Sequence, residues 1–313
     1  MSFLKKKNLL ITGWFLVVAV SCVGAQQSPA AAADPAVSSG EDTAFFARLL
    51  PLHRVKTPPG PYDWLAQQKE DGQTFAQYVA EKPVLPDGKK KYIYITLLGD
   101  FSPKGKEIIV ETAKVIEIFF GLPVKWAEPL PLSVIPAKAQ RVHPQTGDKQ
   151  ILSTYVIDEV LVPRIPADAF CFIAFTPSDL WPGEGWNFVF GQASLDDRVG
   201  VWSIYRNGNP DGDAAEYQLC LKRTIKTGTH EIGHMFSLKH CIYYECLMNG
   251  SNYRKEADSR PMELCPVCLR KLAWALHFDV SKRYQRLAEI YQQLGFPEEA
   301  SFCRESLRIL RDK

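Results

Sequence analysis

The sequence predicts an α/β fold built on a mixed β-sheet, and three observations indicate it. Residues 91–98 are rich in β-branched and aromatic side chains, and residues 106–120 follow with apolar residues at helical spacing. Residues 169–175 form a short apolar run between turn signals, which suits a buried strand. Beyond Cys268 the pattern is wholly helical. Strands that alternate with helices favour a mixed α/β sheet.

The other elements follow from the same patterns along the chain. Residues 123–126 are β-like, so together with the first strand and helix they predict a βαβ start. The segments predicted after it are a helix at 153–162, strands at 187–190 and 199–205, a loop at 207–213, and a C-terminal hairpin of helices at 280–294 and 298–310.

Four parts are predicted along the 313 residues. Residues 1–25 are an export signal, and residues 26–90 are a flexible tether followed by an N-terminal extension that wraps the main domain. Up to Asp42 the tether is rich in Ala, Ser, Pro and Gln, a composition that cannot bury enough apolar surface to fold. Residues 91–279 form the main domain, and residues 280–313 form the helical hairpin packed on it.

The export signal has two interpretations, and both stay open. Lysines at positions 5–7 precede an apolar run at 9–20, a pattern typical of a secretory signal peptide and too short for a comfortable membrane span. Cleavage after Ala25 would release a soluble protein. Alternatively, the segment that ends at Cys22 resembles a bacterial lipobox, in which that cysteine carries the lipid of a lipoprotein. Either route predicts a periplasmic or extracellular location.

The charge balance excludes broad classes of partner. Lys and Arg total 37 against 35 Asp and Glu, so the formal net charge is only +2. This balance offers no general electrostatic attraction to nucleic acid or to acidic membranes. We therefore expect no nucleic-acid partner, and contact with a membrane only through a lipid anchor at Cys22. The protein is expected to be a monomer, although its charge balance does not bear on this.

The sequence H-E-x-x-H begins at His230 and carries the main functional signal. His230 and His234 are four residues apart, so on a helix both imidazoles lie on one face and reach a single ion. His240 follows six residues later as a third ligand. Three imidazoles leave the fourth corner of a tetrahedron for water, which is the pattern of a catalytic zinc. Two incidental histidines on a helix would not account for His240.

Glu231 supplies the remaining chemistry. It is adjacent to the first ligand, and helical geometry points it toward the open coordination position. There it can take a proton from zinc-bound water and deliver it to the leaving amine. The pattern therefore predicts a zinc metallopeptidase that hydrolyses peptide bonds in peptide or protein substrates.

Four cysteines predict a second zinc ion, so that two ions are expected per chain. Cys241 and Cys246 form one pair, and Cys265 and Cys268 form the other, in the spacing C-x₄-C and C-x₂-C of a closed structural tetrathiolate site. The alternative is two disulfides, which an exported protein could form. Three further cysteines are predicted to be buried thiols: Cys171, Cys220 and Cys303.

The run from His230 to the last of these zinc-site cysteines resembles the archaemetzincins, whose hallmark is H-E-x-x-H-x-x-G-x-x-H-C-x₄-C-x-M followed by a distant C-x-x-C. The resemblance covers roughly residues 91–272 and is closer to the longer, vertebrate-type members. It implies a metzincin-like catalytic domain, with a twisted mixed sheet above an active-site cleft and a mostly helical lower subdomain below it.

The resemblance also implies roles by position. The three histidines would bind the catalytic zinc, Glu231 would be the general base, and the four cysteines would hold the structural zinc. Met248 would form the Met-turn, an apolar floor under the imidazoles. The segment formed by Asn187, Phe188, Val189, Phe190 and Gly191 would be an edge strand that pairs with an extended peptide substrate.

One position departs from the family pattern. The glycine between the second and third histidines is replaced by Ser237. If the left-handed conformation is kept, a serine there costs roughly 1–2 kcal/mol, which puts the turnover rate in question. The runner-up function is accordingly a zinc-braced protein that binds peptides without cleaving them, and a third reading is a redox protein that uses its cysteines.

Overall fold

The computed structural model describes residues 9–10 and 40–312. The proposed cleavage point after Ala25, the lipobox cysteine Cys22 and the tether up to residue 39 lie outside the described residues. Within those that are described, no helix is long and apolar enough to cross a membrane. The predicted tether is shorter than expected, because residues 40–42 already begin a helix in which Asp42 forms an ion pair of 3.1 Å with Arg270.

The described strands form two sheets. They are β1 (Leu9–Leu10), β2 (Tyr92–Leu97), β3 (Val124–Trp126), β4 (Gln140–Val142), β5 (Lys149–Leu152), β6 (Ala169–Thr176), β7 (Asp179–Trp181), β8 (Gly191–Ser194) and β9 (Val199–Ser203). The larger sheet has the order β1-β8-β9-β6-β2-β3, and the smaller has the order β4-β5-β7. In the larger sheet β3, β2, β6 and β9 are parallel and β8 is antiparallel, so the predicted mixed sheet is confirmed.

The structure also describes ten α-helices. They are α1 (Gly40–Ala47), α2 (Trp64–Gln67), α3 (Phe75–Ala80), α4 (Pro103–Phe120), α5 (Ser153–Tyr155), α6 (Ala214–Met235), α7 (Arg254–Ser259), α8 (Pro266–Leu276), α9 (Val280–Gln293) and α10 (Pro297–Arg311). Short 3₁₀ turns occur at Leu50–Leu52, Leu132–Val134, Ala137–Ala139 and Val162–Arg164.

The predicted βαβ start is confirmed by β2, α4 and β3. Ser102 caps the first turn of α4 by accepting a hydrogen bond from the N–H of Gly105. The helix ends at Gly121, which adopts the left-handed conformation with φ of 64°. The apolar face of α4 is buried between the sheet and α6. This packing places α6, which carries the H-E-x-x-H sequence, on the sheet's main core.

Two predicted elements differ in the structure. The helix at 153–162 is one α-helical turn followed by a π-helical segment, Val156–Leu161. The strand at 187–190 is wrong, because Val189 makes one isolated bridge to Leu180 and the regular strand begins only at Gly191. The carbonyl of Asn187 accepts hydrogen bonds from the side chains of Arg141 and Gln150, both at 2.9 Å, instead of pairing with a strand.

The N-terminal extension and the C-terminal helices lie against the main domain. Tyr78 of α3 donates a hydrogen bond of 2.8 Å to the carbonyl of Phe236, just beyond α6. Helices α9 and α10 correspond to the two predicted C-terminal helices. Arg283 of α9 is buried and donates a hydrogen bond of 2.8 Å to the carbonyl of Phe119 at the end of α4. Both ends of the described chain therefore brace the helices beside the H-E-x-x-H sequence.

Candidate metal centres

Helix α6 positions two of the three predicted ligands. Asp213 and Glu216 form a capping box at its start, in which each side chain accepts a hydrogen bond from the other residue's backbone N–H. His230 and His234 lie on the last turns, both buried. The loop after the helix brings the buried His240 to the same place, so that the ligand nitrogens of the three histidines lie within 4.8 Å of one another.

Each imidazole is oriented through its Nδ1 atom. Nδ1 of His230 lies 2.8 Å from the carbonyl of Leu247, and Nδ1 of His234 lies 2.6 Å from the carbonyl of Leu238. Nδ1 of His240 lies 2.7 Å from Oε1 of Glu70. These three oxygens are acceptors, so they favour the tautomer with the proton on Nδ1 and leave the Nε2 lone pair for a metal. At His230 the guanidinium of Arg260, a donor, also lies 3.1 Å from Nδ1.

The three nitrogens suit a tetrahedral ion. The Nε2 atoms of His230 and His234 are 3.1 Å apart. Zinc–nitrogen bonds of about 2.0–2.1 Å predict nitrogen separations of roughly 3.3 Å at the corners of a tetrahedron. Burial lowers the pKa of His230 well below its usual value and that of His234 to about 3. Both are therefore neutral, as a metal ligand must be.

The turn between the ligands keeps the left-handed conformation at Ser237, whose φ is 64°. Its carbonyl accepts a hydrogen bond of 3.2 Å from the Gln73 side chain, and that same side chain accepts one of 3.3 Å from the N–H of Lys239. Buried Lys271 donates to the Gln73 side chain at 3.2 Å and also to its backbone carbonyl. The substituted serine is thus held by a residue of the N-terminal extension.

Met248 lies directly beneath α6. It is fully buried, and a Cβ atom placed on Gly233 would lie 2.7 Å from its Sδ atom. The glycine between the two helical ligands therefore lets the methionine approach the helix backbone. The apolar floor under the imidazoles that the resemblance implies for Met248 stays a prediction.

Glu231 faces a cavity of about 400 Å³ that is also lined by His230 and His240. Burial raises the pKa of the Glu231 carboxyl to about 7, with Arg260 as the largest opposing influence. Its carboxyl is thus suited to exchanging protons near neutral pH. Residues 187–190, although not a regular strand, form a wall of this same cavity.

The four cysteines meet in a second buried cluster. The Sγ atoms of Cys241, Cys246, Cys265 and Cys268 lie within 4.8 Å of one another, and all four are free thiols. Cys241 and Cys265 have Sγ atoms 3.6 Å apart, far beyond a disulfide bond of about 2.05 Å. Zinc–sulfur bonds of about 2.3 Å predict sulfur separations of roughly 3.8 Å, so the cluster fits a tetrathiolate ion.

The three further cysteines were correctly predicted to be buried thiols. Cys171 lies on β6, Cys220 on α6 and Cys303 on α10, and none belongs to either cluster. Burial raises the pKa of the Cys220 thiol to about 11 and raises that of Cys171 further. These thiols are therefore poor nucleophiles and poor metal ligands.

Sequence reasoning missed the residues around the imidazoles. Glu70 hydrogen-bonds to His240, and the Trp64 ring packs edge-on against that imidazole with centroids 5.1 Å apart. Arg260 lies on the other side, with Nη1 3.1 Å from Nδ1 of His230 and 2.8 Å from the carbonyl of Asn249. None belongs to a short motif, so only the folded chain brings them to the site.

Comparison with known proteins gives consistent matches. Residues 169–274 match the pattern of peptidase family M54. Archaemetzincin-2 of Homo sapiens is 37% identical over 72% of this chain and 71% of its own length. Archaemetzincin-1 of Homo sapiens is 33% identical over 72% of this chain and 51% of its own. The solved archaemetzincin of Methanopyrus kandleri is 26% identical, covers 62% of this chain and 100% of its own, and has a TM-score of 0.47.

Proposed function

The chain belongs to the archaemetzincin family, the zinc metallopeptidases of peptidase family M54, and on that premise we propose that its three-histidine site hydrolyses peptide bonds with Glu231 as general base and acid. The observation that carries the proposal is the common orientation of the imidazoles. Their Nδ1 atoms all face oxygen acceptors, and this leaves three Nε2 atoms for one ion beside the Glu231 carboxyl.

The metal, Glu231 and the groups around the imidazoles would each have a separate role in hydrolysis. A bound zinc ion lowers the pKa of a water molecule toward 7 and polarises a carbonyl. Glu231 accepts the proton of the attacking water on its carboxylate and passes it to the nitrogen of the leaving amine. Burial raises the pKa of this carboxyl to about 7, which suits a group that first accepts and then donates a proton. Trp64 packs against the His240 ring, and the oxygen acceptors orient the three imidazoles.

We propose that an extended substrate lies along residues 187–191. Several backbone groups of this segment are already used, since the N–H of Val189 donates to Leu180 and the carbonyl of Phe190 accepts from Ser203. The N–H and C=O groups of Phe188 have no hydrogen bond within the described part of the chain. They are the groups best placed to pair with a peptide backbone that enters the cavity.

The general-base role is tested with Glu231→Gln. Glu245→Gln is the matched control, because it makes the same chemical change outside the cavity. Glu245 pairs with Lys56 at 3.1 Å and is not part of the cavity. We expect the zinc-loaded parent to cleave members of a peptide library. Loss of the base should lower kcat by at least about 100-fold, and the control should keep the parental rate. A zinc-loaded parent that binds peptides but cleaves none would instead support the peptide-binding alternative.

We also propose a structural zinc at the four cysteines, and hence two ions per chain. The support is the close approach of the four Sγ atoms, which lie within 4.8 Å of one another. Hydrogen bonds from the other three thiols lower the pKa of Cys241 well below its usual range, whereas burial raises the pKa of Cys246 and Cys265 well above it. Elemental analysis of the purified protein should give two zinc ions. Cys265→Ser should remove one and destabilise the fold, whereas Cys171→Ser should leave the count at two. A parent with one zinc or none contradicts this proposal.

Export is proposed from the N-terminal pattern alone. Residues 1–25 have the basic start and apolar run of a signal peptide, and Cys22 ends a lipobox-like segment. Cell fractionation of the full chain tests both routes. Attachment to a membrane that is lost in Cys22→Ser supports a lipoprotein. A soluble exported product supports cleavage after Ala25. Protein that is found neither in the membrane fraction nor outside the cytoplasm contradicts export.

A further inference from the structure

We propose that the cavity beside Glu231 selects substrates that present a carboxylate next to the scissile bond, bound by Arg254 and Arg260. This inference rests on the proposed peptidase function and names its substrate class. Both arginines line the cavity of about 400 Å³ together with His230 and Glu231. A group bound to them would therefore lie beside the reacting atoms.

Both guanidinium groups are held in fixed positions. Arg254 stacks on the ring of Phe190 at 3.9 Å from the centroid, and its Nη2 donates a hydrogen bond of 2.8 Å to the carbonyl of Arg206. Arg260 donates from Nη1 to the carbonyl of Asn249 at 2.8 Å. A stacked, planar guanidinium keeps its remaining N–H groups in a fork that matches a carboxylate.

The arginines near the cavity differ in whether they pair with a carboxylate. Arg206 forms two hydrogen bonds with Asp179, at 2.8 and 2.7 Å, and Arg223 forms two with Asp258, at 2.9 and 2.6 Å. By contrast, neither Arg254 nor Arg260 pairs with a carboxylate anywhere in residues 40–312. These two cations therefore differ from their neighbours in having no acidic partner of their own.

Arg254 has mostly positive neighbours, whereas Arg260 has acidic ones. Burial lowers the pKa of Arg254 to about 10, the nearby charges of Arg223, Arg260 and Arg206 act in the same direction, and Asp258 opposes them. Burial also lowers the pKa of Arg260, and the charges of Glu231, Glu256 and Asp258 oppose that shift without forming an ion pair with it among residues 40–312. Glu231 is the one acidic residue lining the cavity, and it is assigned to proton transfer. Both side chains are half-buried, so their guanidinium groups can still reach a ligand in the cavity. An incoming carboxylate would form charge-assisted hydrogen bonds with them.

The cavity's shape fits a side chain of the substrate. Trp186, Phe188 and Phe190 also line the cavity, and Arg254 lies against the Phe190 ring, so apolar surface and positive charge are side by side. An acidic side chain has an apolar stem and a carboxylate tip, so it matches both parts. A free C-terminal carboxylate one residue beyond the scissile bond offers the same chemistry. The aromatic residues alone would instead favour an aromatic side chain, and the two unpaired cations favour the carboxylate.

The test compares peptides that differ in one group. Zinc-loaded full-length protein is given matched peptides with Glu, Gln or Phe on either side of the scissile bond, each with a free or an amidated C-terminus. We expect kcat/KM to be about tenfold or more higher for Glu than for Gln, as a charge-assisted hydrogen bond predicts. A gain that follows the free C-terminus instead identifies the terminal carboxylate as the ligand. Equal rates for Glu and Gln with either terminus, or a preference for Phe, overturn the proposal.

Variants assign the preference to the arginines. Arg254→Met should reduce the Glu-to-Gln ratio of kcat/KM to within about threefold of unity. Arg198→Met is the matched control, because Arg198 also faces an aromatic ring, that of Phe170 at 5.2 Å, but lies outside the cavity. The control should keep the parental ratio. A ratio unchanged in Arg254→Met and in Arg260→Met contradicts the assignment.

A binding measurement separates this inference from the proposed function. The Glu231→Gln variant, loaded with zinc, is titrated with the same fluorescently labelled peptides. Tighter binding of carboxylate peptides by about tenfold supports the basic cavity even if the parent cleaves nothing. Equal binding of all peptides overturns it even if the parent is an active peptidase.

Discussion

Oε1 of Glu70 lies 2.7 Å from Nδ1 of His240, and this contact ties the N-terminal extension to the third histidine of the candidate catalytic site. Burial is the largest single influence on the pKa of Glu70 and raises it, but the hydrogen bond to His240, the charge of that imidazole and the hydrogen bond to Trp64 together hold the pKa below its usual value. The carboxylate therefore stays charged and keeps the proton of the imidazole on Nδ1.

Glu70→Ala should weaken zinc binding at the three histidines by about 10–100-fold, because the carboxylate no longer orients His240. Glu70→Gln should weaken zinc binding less, because its amide oxygen can still accept the hydrogen bond. Competition with a chelator, on protein that retains the cysteine-bound ion, measures the change. Asp87→Ala is the control, because Asp87 lies in the same extension but is exposed and accepts hydrogen bonds from the backbone N–H groups of Lys89 and Lys90. An unchanged affinity in Glu70→Ala would assign this contact no role in metal binding.

Ser237→Gly should stabilise the protein by about 0.5–1 kcal/mol. Glycine removes the steric cost of the left-handed conformation at φ of 64°. Part of this gain is offset, because glycine has a larger chain entropy in the unfolded state. Denaturant unfolding of zinc-loaded protein measures it. Ser237→Ala removes the hydroxyl but keeps the strain, so it should show no such gain. A destabilised glycine variant would mean that the serine side chain itself stabilises the turn.

Gly233→Ala should destabilise the protein by about 1–3 kcal/mol and weaken zinc binding at the histidines, because the new Cβ would meet Met248 Sδ at 2.7 Å. Gly228→Ala is a matched control on the same helix. Its Cβ would lie 3.4 Å from Ile116, an ordinary contact, and alanine favours the helix by up to about 1 kcal/mol. Thermal unfolding and chelator competition on both variants test the difference. Equal effects at the two positions would argue against the close methionine contact.

Lys226→Met should remove a pH dependence of stability. Burial lowers the pKa of Lys226 to about 7, whereas an unfolded lysine has a pKa of about 10.4. Between these values the unfolded chain binds more protons, so the free energy of unfolding of the parent rises with pH. Relative to the variant, the parent should gain up to about 1.4 kcal/mol per pH unit from pH 7 to 10. Lys222→Met, at a more exposed position paired with Glu299, should leave the slope in place. Parallel curves for the parent and Lys226→Met would contradict a buried, weakly basic lysine.

Much of the fold follows from short-range patterns. The strand at 92–97, helix α4 and strand β3 were predicted because each has a strong period or composition and conventional end signals. The segment at 187–190 was predicted wrongly, since Phe188 to Phe190 have strand-like composition but the carbonyl beside them bonds to Arg141 and Gln150 instead of a strand. Composition reports which conformations a segment tolerates, and tertiary partners decide among them.

In the candidate site, too, some residues could be predicted from short-range sequence patterns and others could not. His230, Glu231 and His234 are encoded locally, because the helical repeat alone brings residues four apart onto one face, and the cysteine spacing likewise carries its own geometry. The partner of His240, the serine turn held by Gln73, and the paired or unpaired state of Arg254 and Arg260 were decided only by the tertiary structure. These contacts join residues separated by long stretches of chain, up to 170 positions for Glu70 and His240. No periodicity connects such distant residues, so only the packing of the extension and the post-helix segment around α6 determines how the ligands are oriented and which charge the cavity offers a substrate.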